Sequence, residues 1–191
     1  MSKGRLEAFS DGVLAIIITI MVLGLSPPAG PDLAALRPLL PKFLGYVLSF
    51  LYLGIYWTNH HHLFQVVTRV DGPVLWANLH LLFWLSLVPL ATAWLGQSGL
   101  HAWPVAIYGL FLLLAAVAYN LMTAALLRLH DPDSPLARAL GRDFKGKLSI
   151  ALYVAALVAA FFWPAGACAL YVVVAIIWLI PDRRIENILA T

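Results

Sequence analysis

The sequence contains few charged residues. Asp, Glu, Lys and Arg make up 11% of its 191 residues, whereas hydrophobic residues make up 62%. A soluble protein has about 25% charged residues, and this chain has too few to cover a soluble surface without exposing large apolar patches. The single cysteine, Cys168, lies in an apolar run without a disulfide partner, which excludes a disulfide scaffold and argues against redox chemistry as the function. The chain is therefore predicted to lie in a lipid bilayer.

Three long segments contain no charged residue: positions 43–68, 72–127 and 148–181. Each is longer than the roughly 20 residues that cross a bilayer. The two longer segments must fold back, and Gly and Pro mark turns near positions 96–104 and 163–166. Together with the amino-terminal segment, they predict one all-α polytopic membrane domain, residues 1–191, with six transmembrane helices. We place these at Arg5 to Leu25, Phe43 to Val67, Leu75 to Leu95, Trp103 to Leu127, Leu148 to Trp163 and Gly166 to Ile180.

The last two predicted spans are short, so a re-entrant hairpin is an alternative for that region. Orientation follows from the basic residues in the loops. With the amino terminus inside, ten fall on the inner face: Lys3, Arg5, Arg69, Arg128, Arg138, Arg142, Lys145, Lys147, Arg183 and Arg184. Only Arg37 and Lys42 fall outside. This bias predicts a multi-pass plasma-membrane protein with cytoplasmic termini and lipid contacts, and it removes the support for a nucleic-acid partner.

The first predicted helix has two distinct faces. At about 100° per residue, one stripe is apolar apart from Thr19 at its middle and the basic residue at its start. It comprises Arg5, Phe9, Gly12, Ile16, Thr19, Ile20 and Leu23. Asp11 lies to the side with Ser10 and points toward a flanking helix of the bundle. Such a stripe more often packs against lipid or neighbouring helices, so by itself it does not establish a pore.

The second and third predicted spans place Trp57, His60 and Asn78 at the depth of Asp11. A buried carboxylate needs a hydrogen-bonded or charged partner, and these three residues and Arg5 are the candidates. We interpret the set as one polar network that holds three helices together. The alternative is a proton relay in a proton-permeable channel or proton-coupled transporter that uses Asp11 and His60.

Metal and enzyme functions have little support in the sequence. Adjacent residues diverge by about 100° on a helix, so His60, His61 and His62 cannot all reach one ion. No hydrolase, nucleotide-binding or dinucleotide-binding motif is present. An intramembrane hydrolase that uses Ser10 or Asp11 is a third hypothesis, without a motif behind it. We therefore predict a protein that is not an enzyme and has neither a metal site nor a cofactor.

Several motifs resemble those of one known family. Arg5, Phe9, Ser10 and Asp11 are similar to the R-x-x-x-F-S-D signature that opens the first helix of the transmembrane protein 175 potassium channels. Further residues of the second and third spans resemble the bacterial members of that family: Trp57, His60, Leu63, Phe64, Leu75, Trp76, Asn78, Leu79, Pro89 and Thr92. The last three helices match only in character, and the eukaryotic duplication of the six-helix unit is absent.

The resemblance implies a homotetrameric channel that conducts K⁺ passively through a pore lined by the first helix. It implies a hydrophobic constriction at Ile16, a hydroxyl ring linked to cation preference at Thr19, and a narrow apolar continuation at Ile20 and Leu23. It also implies that Arg5, Ser10, Asp11, Trp57, His60 and Asn78 form the inter-helix hydrogen-bond network. K⁺ is then the permeant ion, and because no T-V-G-Y-G filter is present, selectivity is expected to be modest.

Overall fold

The computed structural model describes residues 2–140 and 144–179, and every regular element in these ranges is a helix. The prediction of an all-α fold is therefore confirmed. The α-helices are α1 (Lys3–Leu23), α2 (Leu40–Val66), α3 (Gly72–Ser86), α4 (Val88–Ser98), α5 (Ala102–Leu129), α6 (Pro135–Leu140), α7 (Phe144–Ala159) and α8 (Pro164–Leu179), and a 3-10 helix, Leu33–Leu39, precedes α2. Ile180, where the sixth predicted span ends, lies outside the described residues, as do Arg142, Arg183 and Arg184.

Four helical segments are long and apolar enough to cross a membrane: α1, the 3-10 helix with α2, α3 with α4, and α5. They coincide with the first four predicted spans. Helices α7 and α8 have 16 residues each, which corresponds to about 24 Å against a hydrocarbon core of about 30 Å. Six complete crossings therefore stay a prediction.

The third predicted span is interrupted, which corrects the expectation of one continuous helix from Leu75 to Leu95. Helix α3 ends at Ser86 and α4 begins at Val88, with Leu87 between them. Pro89 occupies the first turn of α4. Proline has no backbone N–H, and its ring clashes with the carbonyl group four residues earlier, so an α-helix cannot run through this position undisturbed.

The helices pack around two apolar clusters. In the first cluster α1, α2, α3 and α5 meet, and its largest members include Leu53, Phe64 and Leu81. In the second cluster α2, α4 and α5 meet α7 and α8. Trp178 near the end of α8 donates a 2.8 Å hydrogen bond to the Ser149 hydroxyl group near the start of α7, so these two helices run antiparallel.

The second cluster contains four buried tyrosines, and no buried hydroxyl group among them lacks a hydrogen-bond partner. The Tyr52 hydroxyl group donates to the Tyr171 carbonyl oxygen at 2.5 Å, and the Tyr171 hydroxyl group donates to the Val105 carbonyl oxygen at 3.1 Å. Gly109 lies directly beneath the Tyr171 hydroxyl group, which a Cβ atom at this position would overlap. A glycine is therefore required for α5 and α8 to approach each other closely.

Candidate pore face and polar network

Helix α1 is buried on one side only. Its buried residues recur at helical spacing and point toward α2, α3 and α4: Leu6, Ser10, Leu14, Ile17 and Met21. All seven residues of the predicted stripe lie on the opposite side and are exposed in the single chain: Arg5, Phe9, Gly12, Ile16, Thr19, Ile20 and Leu23. The structure thus brings the predicted pore residues together along one continuous surface.

The exposed face is prominent. Ile16 is 59% exposed and Leu23 is 81% exposed. A Cβ atom at Gly12 would have no heavy atom within 4 Å from the rest of the chain. Large apolar side chains that are exposed in a single chain must contact lipid, another protein molecule or a pore.

The Thr19 hydroxyl group lies at the middle of this face. It donates a 2.9 Å hydrogen bond to the Ile16 carbonyl oxygen one turn earlier. This bond uses the only hydrogen of the hydroxyl group and leaves oxygen lone pairs free. The exposed oxygen is therefore suited to accept a hydrogen bond from water or to coordinate a cation.

Three of the predicted network residues form one buried chain that joins three helices. The Asn78 amide nitrogen of α3 donates to the Ser10 hydroxyl oxygen of α1 at 2.9 Å, and Ser10 donates in turn to the Leu6 carbonyl oxygen at 2.9 Å. The Asn78 amide oxygen lies 2.9 Å from His60 Nε2 of α2. Because that oxygen only accepts, His60 Nε2 carries the proton and donates.

A second, separate pair lies at the surface. The Trp57 indole N–H donates to the Asp11 carboxylate at 2.9 Å, and its ring stacks on His61 at 5.9 Å between centroids. In the part of the chain that the structure describes, no hydrogen bond links this pair to the buried chain. Arg5 makes no side-chain hydrogen bond or ion pair with any described residue. The single predicted network is therefore two separate ones, and Arg5 belongs to neither within one chain.

The three consecutive histidines have different surroundings. His60 is buried and stacks on Phe64 with ring centroids 4.5 Å apart, whereas His61 is exposed and bonds Gln65. Among the described residues no group of three or more His, Cys, Asp or Glu side chains is arranged to hold a metal ion. The separation follows from the rotation of about 100° between neighbouring helical residues.

The comparisons with known proteins bear on this geometry. The family model described as "Endosomal/lysosomal potassium channel TMEM175" matches residues 5–89, which include both networks and the exposed face of α1. A protein named potassium channel from Chryseobacterium sp. (strain P1-3) is 56% identical over 187 residues, covering 98% of this chain and 97% of that one. This chain belongs to the TMEM175 family.

Other TMEM175 relatives support the same assignment. A crystal structure of "a lysosomal potassium-selective channel TMEM175 homolog" from Chamaesiphon minutus matches with a TM-score of 0.80 and 29% identity, covering 93% of this chain and 96% of the other. The "Endosomal/lysosomal proton channel TMEM175" of Bos taurus is 33% identical over 179 residues, but this chain covers only 37% of its length. TMEM175 is a family of ion channels, so the prediction that the chain is not an enzyme is confirmed.

Sequence reasoning did not identify one polar cluster of this TMEM175 protein. The buried Ser49 hydroxyl group of α2 lies 2.7 Å from the Thr92 hydroxyl group of α4 and 3.0 Å from the Tyr108 hydroxyl group of α5. The signal in the sequence was the presence of single hydroxyl residues within apolar spans, which commonly form hydrogen bonds between membrane helices. The cluster joins α2, α4 and α5 about three turns of α2 before His60.

Proposed function

We propose that this protein is a passive, potassium-permeable cation channel, a homotetramer whose pore is lined by α1 of each subunit. The observation that carries the proposal is the continuous face of α1 on which all seven stripe residues are exposed in the single chain. One helix cannot enclose a pore, so several subunits must turn this face toward a common axis, and closed rotational symmetry provides that arrangement. The names of the bacterial relatives as potassium channels support K⁺ as the permeant ion.

The residues on this face suit a pore with a hydrophobic constriction. An apolar ring formed by Ile16 gates by excluding water when it is narrow. The Thr19 hydroxyl group, one turn further along, presents an oxygen whose hydrogen is already bonded to the backbone. Four such oxygens would partly replace the water around a cation. Ile20 and Leu23 extend the narrow apolar surface beyond them.

Cation preference in this pore is expected to be weak. The face contains no acidic residue along its length, and its one charged residue, Arg5, lies near the start of the helix. Preference for K⁺ must then rest on Thr19, on pore width and on backbone dipoles. These are weaker sources of selectivity than a cage of carbonyl oxygens.

We propose a plasma-membrane location with six crossings and cytoplasmic termini. Lys3 bonds the carbonyl oxygen of Val67, and Arg69 donates to the carbonyl oxygen of Leu129, so basic residues distant in sequence meet at one end of the bundle. Lys42, by contrast, lies beside Gly96 of α4 and lines a groove with the last residues of α1, where that helix ends. An excess of basic residues at one end marks the cytoplasmic side.

Flux from liposomes tests the channel. Purified protein should release K⁺ down its gradient with no requirement for a proton or sodium gradient. Ile16→Asn should raise the flux, because a polar side chain keeps water in the constriction. Ile176→Asn on α8 is the matched control: Ile176 is 53% exposed, but it lies on a different helix and should leave the flux unchanged. Strict coupling to a second ion, or an equal response to both variants, would contradict the proposal.

A proton-permeable channel is the second candidate, and the bovine relative named as a proton channel favours it. It requires a path through Asp11 and His60. These two residues belong to different hydrogen-bonded groups, and His60 is joined to α1 through the Asn78 amide. Asp11→Asn and His60→Gln should abolish proton flux and preserve assembly if the residues relay protons, whereas a structural role predicts loss of the assembly itself.

A further inference from the structure

The groove that Lys42 lines lies between the end of α1, the start of α2 and α4. It has a volume of about 360 Å³ and is open to the surroundings of the chain. Most of its wall is apolar and comes from α1 and α4, with Met21, Leu23, Pro89 and Leu90 among the contributing side chains. Apolar clefts with a few polar groups are the usual binding sites for ligands on proteins.

Lys42 is the charged residue of this groove, and α4 packs directly on its side chain. A Cβ atom at Gly96 would lie 3.1 Å from Lys42 Cγ and 3.2 Å from Lys42 Cα, which is closer than ordinary van der Waals contact. The missing side chain at Gly96 therefore lets α4 approach the stem of Lys42, which is partly buried. A stem held in this way loses less conformational entropy on binding a partner than the stem of a fully exposed lysine.

The ammonium group of Lys42 has no counter-charge in the part of the chain that the structure describes. It forms neither a hydrogen bond nor an ion pair with any described residue. Positions 24–42 and 87–101 contain one acidic residue, Asp32, against the two basic residues Arg37 and Lys42. The groove therefore presents an uncompensated positive charge, which is complementary to an anion.

The two other polar side chains of the groove differ in their hydrogen bonding. The Thr92 hydroxyl group is engaged, since it donates to the Val88 carbonyl oxygen at 2.7 Å and lies 2.7 Å from the Ser49 hydroxyl group. Tyr46 lies four residues after Lys42 and hence on the same face of α2. Its hydroxyl group forms no hydrogen bond with a described residue. The groove thus has two side chains with uncommitted donors, Lys42 and Tyr46, beside an apolar wall.

The position of Lys42 along the chain sets the depth of the groove in the membrane. Lys42 immediately precedes the charge-free segment 43–68, and the next two residues, Phe43 and Leu44, are exposed apolar side chains. A lysine at the end of an apolar span lies at the level of the lipid headgroups, with its stem along the hydrocarbon. A ligand of this groove consequently has its charged group at headgroup level and an apolar part along α1 and α4.

We propose that this groove binds an anionic phospholipid from the leaflet on the side where α1 ends. The lipid phosphate lies at Lys42 and Tyr46, and an acyl chain follows the apolar wall. An ammonium group binds phosphate as a point charge, and a basic pocket between membrane helices is a recurrent type of headgroup site. A phosphatidylcholine molecule also has a phosphate, but its own ammonium group opposes Lys42. One lysine at the membrane surface corresponds to an about five-fold preference for the anionic lipid.

The test is photocrosslinking in phosphatidylcholine vesicles with a phosphatidylglycerol probe that carries a diazirine in one acyl chain. The probe should label residues 20–25 and 89–96, and a phosphatidylcholine probe with the same chain should label them about five-fold less. Lys42→Gln should reduce labelling by the phosphatidylglycerol probe to that lower level, whereas Lys42→Arg should keep the preference. The matched control is Arg37→Gln, which removes a positive charge at the same end of the bundle but outside the groove, and should label as the parent does.

The apolar wall has its own variant. Ala93 lines the groove from α4, and Ala93→Leu narrows the groove while retaining Lys42, so it should reduce labelling by both probes. Inorganic phosphate, compared with chloride at the same ionic strength, should leave labelling unchanged because a free anion has no acyl chain. Displacement of the probe by inorganic phosphate would show that Lys42 binds a free anion and would overturn the lipid site.

Two further outcomes would also overturn the inference. The first is equal labelling of these segments by the two lipid probes, or labelling of Lys42→Gln as strong as that of the parent. The second is an absence of labelling in the groove together with dissociation of the purified assembly in Lys42→Gln, because the groove would then hold a neighbouring subunit. None of these measurements requires K⁺ conduction, so their outcome is independent of the proposed channel function.

Discussion

Substituting Asn78 by Leu is the sharpest test of how the helices of this protein are held together. Asn78 is 2% exposed and bonds Ser10 of α1 and His60 of α2. Leucine branches at Cγ as asparagine does but is larger, so Asn78→Leu removes both inter-helix hydrogen bonds without leaving a cavity, and its extra volume adds strain in the same direction. Ser10 still donates to the Leu6 carbonyl oxygen, whereas the His60 N–H loses its acceptor.

The expected cost follows from these contacts. Hydrogen bonds between membrane helices contribute about 0.6 kcal/mol each on average. The stranded N–H of His60, a residue only 3% exposed, adds about 1–3 kcal/mol because a buried donor without an acceptor loses its solvation. We expect Asn78→Leu to lower the free energy of unfolding by about 2–4 kcal/mol.

Trp57→Phe is the comparison. It keeps an aromatic ring beside His61 and loses only the bond to Asp11, which lies at the surface, and Trp57 is itself 45% exposed. Its expected cost is below about 1 kcal/mol. The assay is reversible unfolding of the detergent-solubilised protein. Its progress is measured as the fraction that elutes as the folded oligomer in size-exclusion chromatography. The reasoning is refuted if the free energy of unfolding of Asn78→Leu lies within about 1 kcal/mol of that of the parent, or if Asn78→Leu is more stable than Trp57→Phe.

Three further predictions concern other sites. Thr19→Ala should reduce the ratio of K⁺ to Na⁺ permeability, which is measured from reversal potentials. Thr123→Ala on α5 is its control: it loses an equivalent bond to its own helix backbone and should leave the ratio unchanged. Gly109→Ala should destabilise the protein by about 1–3 kcal/mol in thermal unfolding because the added methyl group overlaps a buried tyrosine. A methyl group added at Gly54 has no atom within 4 Å, so Gly54→Ala should be neutral or stabilising. Ser49→Ala should cost about 1–2 kcal/mol in the same assay, since it loses its bonds to α4 and α5.

The sequence predicted the α1 face well because a helix has a fixed rotation per residue. Once residues 3–23 form a helix, Ile16, Thr19 and Leu23 share a side regardless of what surrounds them. The exposed side of α1 in the structure consequently includes the whole predicted stripe. The break between α3 and α4 was accessible in principle from Pro89, since the effect of proline on a helix is local.

The pairing of polar residues was only partly predictable. Depth along a helix follows from sequence position, so the grouping of Ser10, Asp11, Trp57, His60 and Asn78 at one level was sound. Partner choice depends instead on how each helix is rotated about its own axis, which packing of the apolar clusters determines. Ser10 and Asp11 differ by about 100° and therefore turn to different neighbours. A sequence does not distinguish one network from two.

By itself, the sequence determined that this chain is a helical membrane protein and which side of α1 carries the apolar stripe with Thr19. These properties depend on the spacing of charges along the chain and on helix period, both of which are local. Only the tertiary structure decided that Asn78 bonds Ser10 and His60, and that Lys3 at the start of α1 bonds the Val67 carbonyl oxygen after α2. Such contacts require atoms from distant segments to approach within about 3 Å, and that approach is fixed by the packing of whole helices against one another.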